Sequence, residues 1–228
     1  MAKIRGIWTL VQMVITVSFV IILMYIFRTN TKKIRTLWAS LQLKLMGIDL
    51  TIQGKEDPEA QMLMLNHQSI VDIILFEYLS TKDLAWIAKQ EIGNLPWFGH
   101  ILKAPKMIMV QRESKSSLVT LLKESKDRIE NGRAIAIFPE GTRTDGTRLR
   151  KFKVGAKIIA QKFNLKVQPA IIIGSLNIWD SKKMTQNSGK VKIIYLDSVI
   201  AEKNTDWFEQ IEENMKKTLK EELEKWNN

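Results

Sequence analysis

From residue 6 to residue 27 the chain runs without a formal charge, bounded by Arg5 and Arg28. At about 1.5 Å of rise per residue, such a run makes a helix just long enough to cover a hydrocarbon core of about 30 Å. The period then changes. Ile34, Leu37, Trp38, Leu41 and Leu45 fall at helical spacing with Lys32, Lys33, Arg35 and Lys44 beside them, which is the pattern of an amphipathic helix lying in a headgroup layer. Together the two segments predict a membrane-associated helical hairpin over residues 1–47, either spanning the bilayer or dipping into one leaflet, with a buried core helix as the plainer alternative. Thr9, Gln12 and Thr16 share one face of the first helix, where they pack against the second or admit a polar headgroup. The apolar run exceeds the roughly 7–15 residues of a secretory leader and is followed by Arg28-Thr29-Asn30-Thr31-Lys32 instead of a small-residue cleavage site. The segment is therefore expected to remain in the mature protein.

Beyond Gly47 short apolar or β-branched runs alternate with amphipathic stretches. Residues 62–65, 85–88, 107–110, 134–138, 167–173 and 191–196 read as strands, and 69–79, 114–129, 154–163 and 206–226 as helices. Asn131-Gly132 is a helix stop before the strand that follows. The alternation predicts an α/β domain over residues 48–228, with a central, largely parallel or mixed sheet flanked by helices and ligands bound near the carboxyl ends of its strands. Residues 181–189 are polar and read as an exposed loop, and the last helix reads as a solvated amphipathic cap.

Charge adds direction to this picture. Lys and Arg number 35 against 24 Asp and Glu, a formal net charge of +11, which favours anionic partners such as phospholipid surfaces, phosphorylated ligands or nucleic acid. The last class lacks any recognisable binding motif, so no nucleic-acid partner is expected. With no cysteine in the chain, disulfides, thiolate metal sites and cysteine nucleophiles are excluded. Positive charge at both ends of the first segment, Lys3 and Arg5 on one side and Arg28, Lys32, Lys33 and Arg35 on the other, leans only slightly toward a cytoplasmic C-terminal domain. The same charges would hold the domain against anionic lipid.

Only two histidines are present, His67 and His100, and a histidine base at neutral pH must be one of them. His67 ends the apolar run 62–65 and Asp72 follows five residues later. That spacing does not align the two on one face of a continuous helix, so they meet only if His67 sits in the turn above a helix begun at Gln68 or Ser69. The carboxylate can then accept from one imidazole nitrogen and leave the other free as a base. On spacing alone, a structural or capping histidine is the more ordinary reading. After the run 134–138 comes Pro139-Glu140-Gly141-Thr142-Arg143, a Gly-containing turn with exposed backbone amides and an arginine able to bind phosphate oxygens bidentately. Arg112 lies at another predicted strand end and reads equally as a phosphate ligand or a surface ion pair. Arg148, Arg150, Lys151, Lys153 and Lys157 continue the basic run and fit a solvated surface in part. A hydrolase built on His67 and Asp72 would need a metal cluster or a nucleophile, and Ser69 lacks the surroundings of a nucleophile elbow.

Asn66-His67-Gln68-Ser69-Ile70-Val71-Asp72, followed by Phe138-Pro139-Glu140-Gly141-Thr142-Arg143, resembles the paired motifs of the glycerolipid acyltransferase family. The similarity extends through Ala88-Lys89-Gln90-Glu91, Pro96-Trp97-Phe98-Gly99, Arg112, Phe152-Lys153-Val154-Gly155-Ala156 and Val167-Gln168-Pro169-Ala170, so it covers roughly residues 60–175. Gln111 stands where many relatives have aspartate, and Gln168-Pro169-Ala170 is a looser form of the family's proline motif. The resemblance implies acyl transfer from an acyl thioester, acyl-CoA or acyl carrier protein, to the sn-2 hydroxyl of 1-acyl-sn-glycerol 3-phosphate (lysophosphatidic acid). Glycerol 3-phosphate or another lysophospholipid is the alternative acceptor. It implies no cofactor and no metal beyond the donor as co-substrate. His67, oriented by Asp72, would be the base, with Arg112, Glu140, Gly141, Thr142 and Arg143 holding the phosphorylated glycerol. Backbone amides near Gly141 or at the start of the helix after His67 are candidate oxyanion donors. An enzyme of this kind is expected at a membrane, the inner membrane if bacterial, with membrane phospholipid as a partner.

Overall fold

A computed structural model describes residues 1–111 and 115–226. Helix α1 (Ala2–Ile26) passes through a single 3-10 turn at Arg28–Asn30 into α2 (Thr31–Met46), which Gly47 ends in the left-handed conformation. The order then runs β1 (Ile48–Gln53), β2 (Met62–Leu65), α3 (Val71–Leu79), β3 (Leu84–Lys89), α4 (Gln90–Gly93), α5 (His100–Lys103), β4 (Ile108–Val110), α6 (Lys115–Glu130) and β5 (Ala134–Ile137). It continues with α7 (Val154–Lys162), β6 (Lys166–Ile173), α8 (Ser175–Ile178), β7 (Trp179–Asp180), β8 (Thr185–Gln186), β9 (Gly189–Tyr195), β10 (Val199–Ile200) and α9 (Trp207–Trp226).

The main sheet has the order β1-β9-β6-β2-β5-β3-β4, with β10 beside β6. Strands β6, β2, β5, β3 and β4 are mutually parallel, while β9 and β10 pair antiparallel with β6 and β1 runs parallel to β9. The expected strands and the four longer helices are therefore present, and the sheet is mixed. Edge strand β1 was not anticipated, because Asp49, Thr51 and Gln53 break its apolar run and it is half exposed.

Alternation along β2 explains the layers. Met62 and Met64 point into a core with Ile135, Ile171, Ala156, Ile159, Phe208, Met215 and Leu219, closed by α6, α7 and α9. Leu63 and Leu65 point to the other face, into a core with Ala39, Leu43, Met46, Ile74, Leu75 and Phe76, closed by α2 and α3. Each buried Leu, Ile, Met or Phe among them contributes roughly 1.5–3 kcal/mol by leaving water. Residues 1–47 thus supply, through α2, part of the cover of the sheet.

Helix α1 is the one described helix long and apolar enough to cross a membrane. It lies against the rest of the protein along its length. A Cβ on Gly6 would stand 2.0 Å from the carbonyl oxygen of Met184, so only glycine permits this approach to the β7–β8 hairpin. In the middle, Gln12 and Thr16 bond the buried Gln42 of α2, and Trp38 donates to Thr16 at 3.1 Å, so the polar face of α1 packs against α2. Near its end, Trp97 donates to Ser18 at 2.8 Å, and the Tyr25 hydroxyl meets Nδ1 of His100 at 2.6 Å. Ile7, Trp8, Ile15 and Phe19 of α1, with Leu37, Leu41 and Leu45 of α2, remain exposed.

Two expectations change here. Residues 181–189 are not a simple exposed loop: they include β8 and buried Gln186, whose amide donates to the carbonyl of Met46 at 2.9 Å. Arg35, expected beside Lys32 and Lys33 as a headgroup contact, is 3% exposed and turned inward, paired with Glu77 and Asp83. Arg133 closes the network on the second oxygen of Asp83 at 3.0 Å. Burial pushes the Glu77 carboxyl above its ordinary range, against the pull of Arg35 and of the Trp86 N–H.

Candidate active site

Strands β2 and β5 are adjacent and parallel, with Met62 opposite Ile135 and Met64 opposite Ile137. Both motifs therefore leave the same edge of the sheet side by side. Asn66 turns the chain out of β2 by pairing its amide with the backbone of Ile172: Nδ2 donates to the carbonyl at 2.9 Å, and Oδ1 accepts the N–H at 2.7 Å. This buried side chain stands in for the ladder hydrogen bonds that β2 would otherwise make with β6.

Helix α3 starts at Val71, so His67 lies in the turn before it, as the His67–Asp72 pairing requires. With the proton on Nδ1, the imidazole donates to Oδ2 of Asp72 at 2.8 Å, and Nε2 keeps its lone pair. The same oxygen accepts the backbone N–H groups of Gln68 (2.6 Å) and Ser69 (2.8 Å). The other carboxylate oxygen accepts the Ser175 hydroxyl at the start of α8. The Asp72 side chain is 0% exposed and that of His67 is 13% exposed. The result is a fixed, enclosed carboxylate behind a histidine that reaches solvent. Four donors on Asp72 fix the carboxylate that orients Nδ1 of the imidazole.

Phe138 opens the second motif, and its ring stacks on that of His67, with centroids 3.8 Å apart and planes 11° from parallel. Glu140, 1% exposed, sends its carboxylate inward: Oε1 accepts the N–H of His67 at 3.0 Å, and Oε2 accepts that of Arg150 at 2.8 Å. Burial pushes this carboxyl up, while the two backbone N–H groups pull it down. With both oxygens engaged, Glu140 braces the turn that carries His67. Thr144 completes the brace, donating to the carbonyl of His67 through its backbone N–H (2.8 Å) and its hydroxyl (3.2 Å).

Gly141 holds φ +69 in the turn, a conformation that favours glycine, and its N–H donates to the carbonyl of Phe138 at 3.0 Å. That amide and those of Gln68 and Ser69 are thus committed within the protein, so they are not idle oxyanion donors. Thr142 and Arg143 are exposed on the rim, and Arg143 donates to the Ser181 hydroxyl at 3.2 Å. Arg148 and Arg150 are exposed on the same segment. Arg112 lies outside the described residues. His100, on α5, meets the Tyr25 hydroxyl of α1 through Nδ1. Among the described residues, no group of His, Asp and Glu forms a metal site. An open cavity of about 690 Å³ lies beside the turn, not over His67, bounded by Gln68, Gly146, Asn177, Asn187 and Trp226.

A partly exposed imidazole backed by a buried carboxylate, next to an arginine-bearing turn, is suited to take a proton from a hydroxyl of an anionic acceptor. The model of the Acyltransferase family matches residues 49–173, which contain both motifs, and the chain belongs to that family. The relatives narrow the class. Over 216 residues the chain is 37% identical to a 1-acyl-sn-glycerol-3-phosphate acyltransferase of Helicobacter pylori, covering 93% of this chain and 91% of that one. It is 30% identical over 209 residues to a chloroplastic enzyme of the same name from Arabidopsis thaliana, covering 85% of this chain and 58% of that one. The crystal structure of the 1-acyl-sn-glycerophosphate (LPA) acyltransferase PlsC from Thermotoga maritima shares the fold, with TM-score 0.79 at 21% identity over 97% of this chain and 95% of that one.

Proposed function

We propose that the protein transfers a fatty acyl group from an acyl thioester to the sn-2 hydroxyl of 1-acyl-sn-glycerol 3-phosphate, giving phosphatidic acid. The observation that carries this reading is the His67–Asp72 pair, bonded at 2.8 Å in the turn that the arginine-bearing motif braces. Nε2 of His67 takes the hydroxyl proton as the acceptor oxygen attacks the thioester carbonyl carbon. A tetrahedral oxyanion forms and collapses, the C–S bond breaks, and the imidazolium returns its proton to the departing thiolate. Asp72 holds the tautomer and supports the imidazolium, and no covalent acyl-enzyme is required because a thioester is already activated. Arg143, with Thr142 beside it on the rim, receives the acceptor's phosphate, and the resemblance of the motifs gives Arg112 the same task.

The donor is acyl-CoA or acyl carrier protein, and no cofactor or metal enters this scheme. The lysophospholipid reaches the site from a bilayer. Exposed apolar residues of α1 and α2 supply the surface that meets it, with Lys3, Arg5, Lys33 and Lys44 exposed for anionic headgroups. Contacts to the rest of the protein near both ends of α1 favour a helix lying along the interface over one crossing the bilayer. We place the protein at a membrane, the inner membrane if bacterial, with its catalytic domain on the cytoplasmic face.

The test is the product formed by purified full-length protein in detergent, supplied with acyl-CoA or acyl carrier protein thioester and with lysophosphatidic acid or glycerol 3-phosphate. Phosphatidic acid from lysophosphatidic acid, with glycerol 3-phosphate left unacylated, is the expected outcome. Acylation of glycerol 3-phosphate alone would overturn the choice of acceptor.

A further inference from the structure

We propose that Phe138 and Trp86 are positioning residues for the base, forming an aromatic column that fixes the plane of the His67 imidazole and supports its protonated form. The column crosses three adjacent strands. Trp86 lies on β3, Phe138 directly follows β5 and His67 follows β2, and these strands are neighbours in the order β2-β5-β3. Behind the stacked pair of His67 and Phe138, Trp86 lies 5.3 Å from Phe138, centroid to centroid, at 21°. The column ends on a polar anchor: the Trp86 N–H donates to Oε1 of Glu77 at 2.8 Å, and Glu77 is paired with Arg35 of α2.

Two consequences follow from that geometry. Asp72 fixes the imidazole through one nitrogen only, which leaves rotation about the Nδ1–Oδ2 line; a parallel ring at 3.8 Å blocks it and keeps Nε2 directed outward. Proton abstraction also turns the ring into a cation lying over the face of Phe138, where the negative π-surface attracts it. Trp86, 4% exposed, is held by its N–H and cannot swing aside to let Phe138 tilt. Because Glu77 is clamped by α2, the chain of contacts runs from the lipid-side helix to the reacting imidazole.

This inference rests on the acyl-transfer reading, and the experiment separates the two. Wild type, His67→Ala, Phe138→Tyr, Phe138→Leu, Trp86→Phe and Trp86→Leu are assayed with both substrates varied, and folding is checked by thermal melting. Wild-type transfer that disappears in His67→Ala secures the underlying reading before the column is judged. The column requires Phe138→Leu to lose about tenfold or more in kcat, with the acceptor and donor KM within about twofold of wild type, while Phe138→Tyr stays within about threefold. In Phe138→Leu the acidic limb of the kcat/KM profile moves to lower pH, a displacement that loss of packing alone would not produce. Trp86→Leu should show the same kcat-selective loss, and Trp86→Phe, which keeps a ring but not the N–H to Glu77, should recover part of it. If the folded leucine variants keep wild-type kcat and an unmoved acidic limb, the column is packing only and the inference is wrong.

Discussion

The backbone N–H of His67 donates to Oε1 of Glu140 at 3.0 Å, so the second motif grips the first by its main chain. Residues 73 positions apart meet because β2 and β5 are neighbours that end at the same edge. Replacing Glu140 by Ala removes the acceptor of two part-buried N–H groups, those of His67 and Arg150, each bond contributing roughly 0.5–3 kcal/mol. Thermal melting should show that loss, and kcat should fall on the order of tenfold or more as the histidine turn loosens. An Ala variant with wild-type melting and kcat would contradict the bracing role.

Arg143 is exposed on the rim and donates to the Ser181 hydroxyl. Its replacement by Ala should leave the fold intact and raise the acceptor KM far more than the donor KM, since one charge-assisted pair contributes roughly 1.5–3 kcal/mol. Steady-state kinetics with each substrate varied in turn checks this, and equal effects on both KM values would argue against a phosphate contact.

Arg35 pairs inside the protein with Glu77 and Asp83. Arg35→Met leaves the Glu77 carboxylate buried without its cation, which costs about 3–5 kcal/mol at pH 7. The sign of the pH dependence follows from the raised carboxyl of Glu77: the folded state binds its proton more tightly than the unfolded chain does. Stability is therefore lost as pH rises through that folded-state value and regained as pH falls. The gap between variant and wild type should narrow on acidification, and a gap that widens would show that Glu77 is not the stranded charge.

Ile15 of α1 and Leu41 of α2 are large apolar side chains exposed on the surface. In the full-length protein, Ile15→Glu with Leu41→Glu should weaken cosedimentation with anionic phospholipid vesicles by at least about tenfold, because each carboxylate must stay out of the acyl region. Unchanged binding would move the membrane contact elsewhere on the surface.

Much of the site was legible before the fold was known. His67 and Asp72 could be paired because the run ending at Leu65 and the helix beginning near Ser69 leave one turn between them, and Val71 opens that helix. The place of Glu140 among the phosphate contacts comes from the resemblance alone, because a carboxylate beside a glycine carries no mark in the sequence of which way it points. Its inward direction is decided by the His67 and Arg150 amides, one of them on another strand connection. Arg35 misled for a similar reason: among Lys32, Lys33 and Lys44 it reads as another surface cation, and its partners Glu77 and Asp83 lie on a different helix and the loop after it. Phe138 was noted only as part of a motif, since stacking on a histidine leaves no periodic signal in the chain. Strand β1 escaped because its polar positions suit a half-exposed edge and hide the apolar run expected of a buried strand.

The most direct test is the rate of phosphatidic acid formation from lysophosphatidic acid and an acyl thioester by full-length wild type, His67→Ala and Asp72→Asn, each verified as folded. Wild type should turn over, His67→Ala should fall to the uncatalysed background, and Asp72→Asn should lose on the order of 10²–10⁴-fold in kcat by disturbing the tautomer that Nδ1 presents. Undiminished transfer by folded His67→Ala would contradict the account.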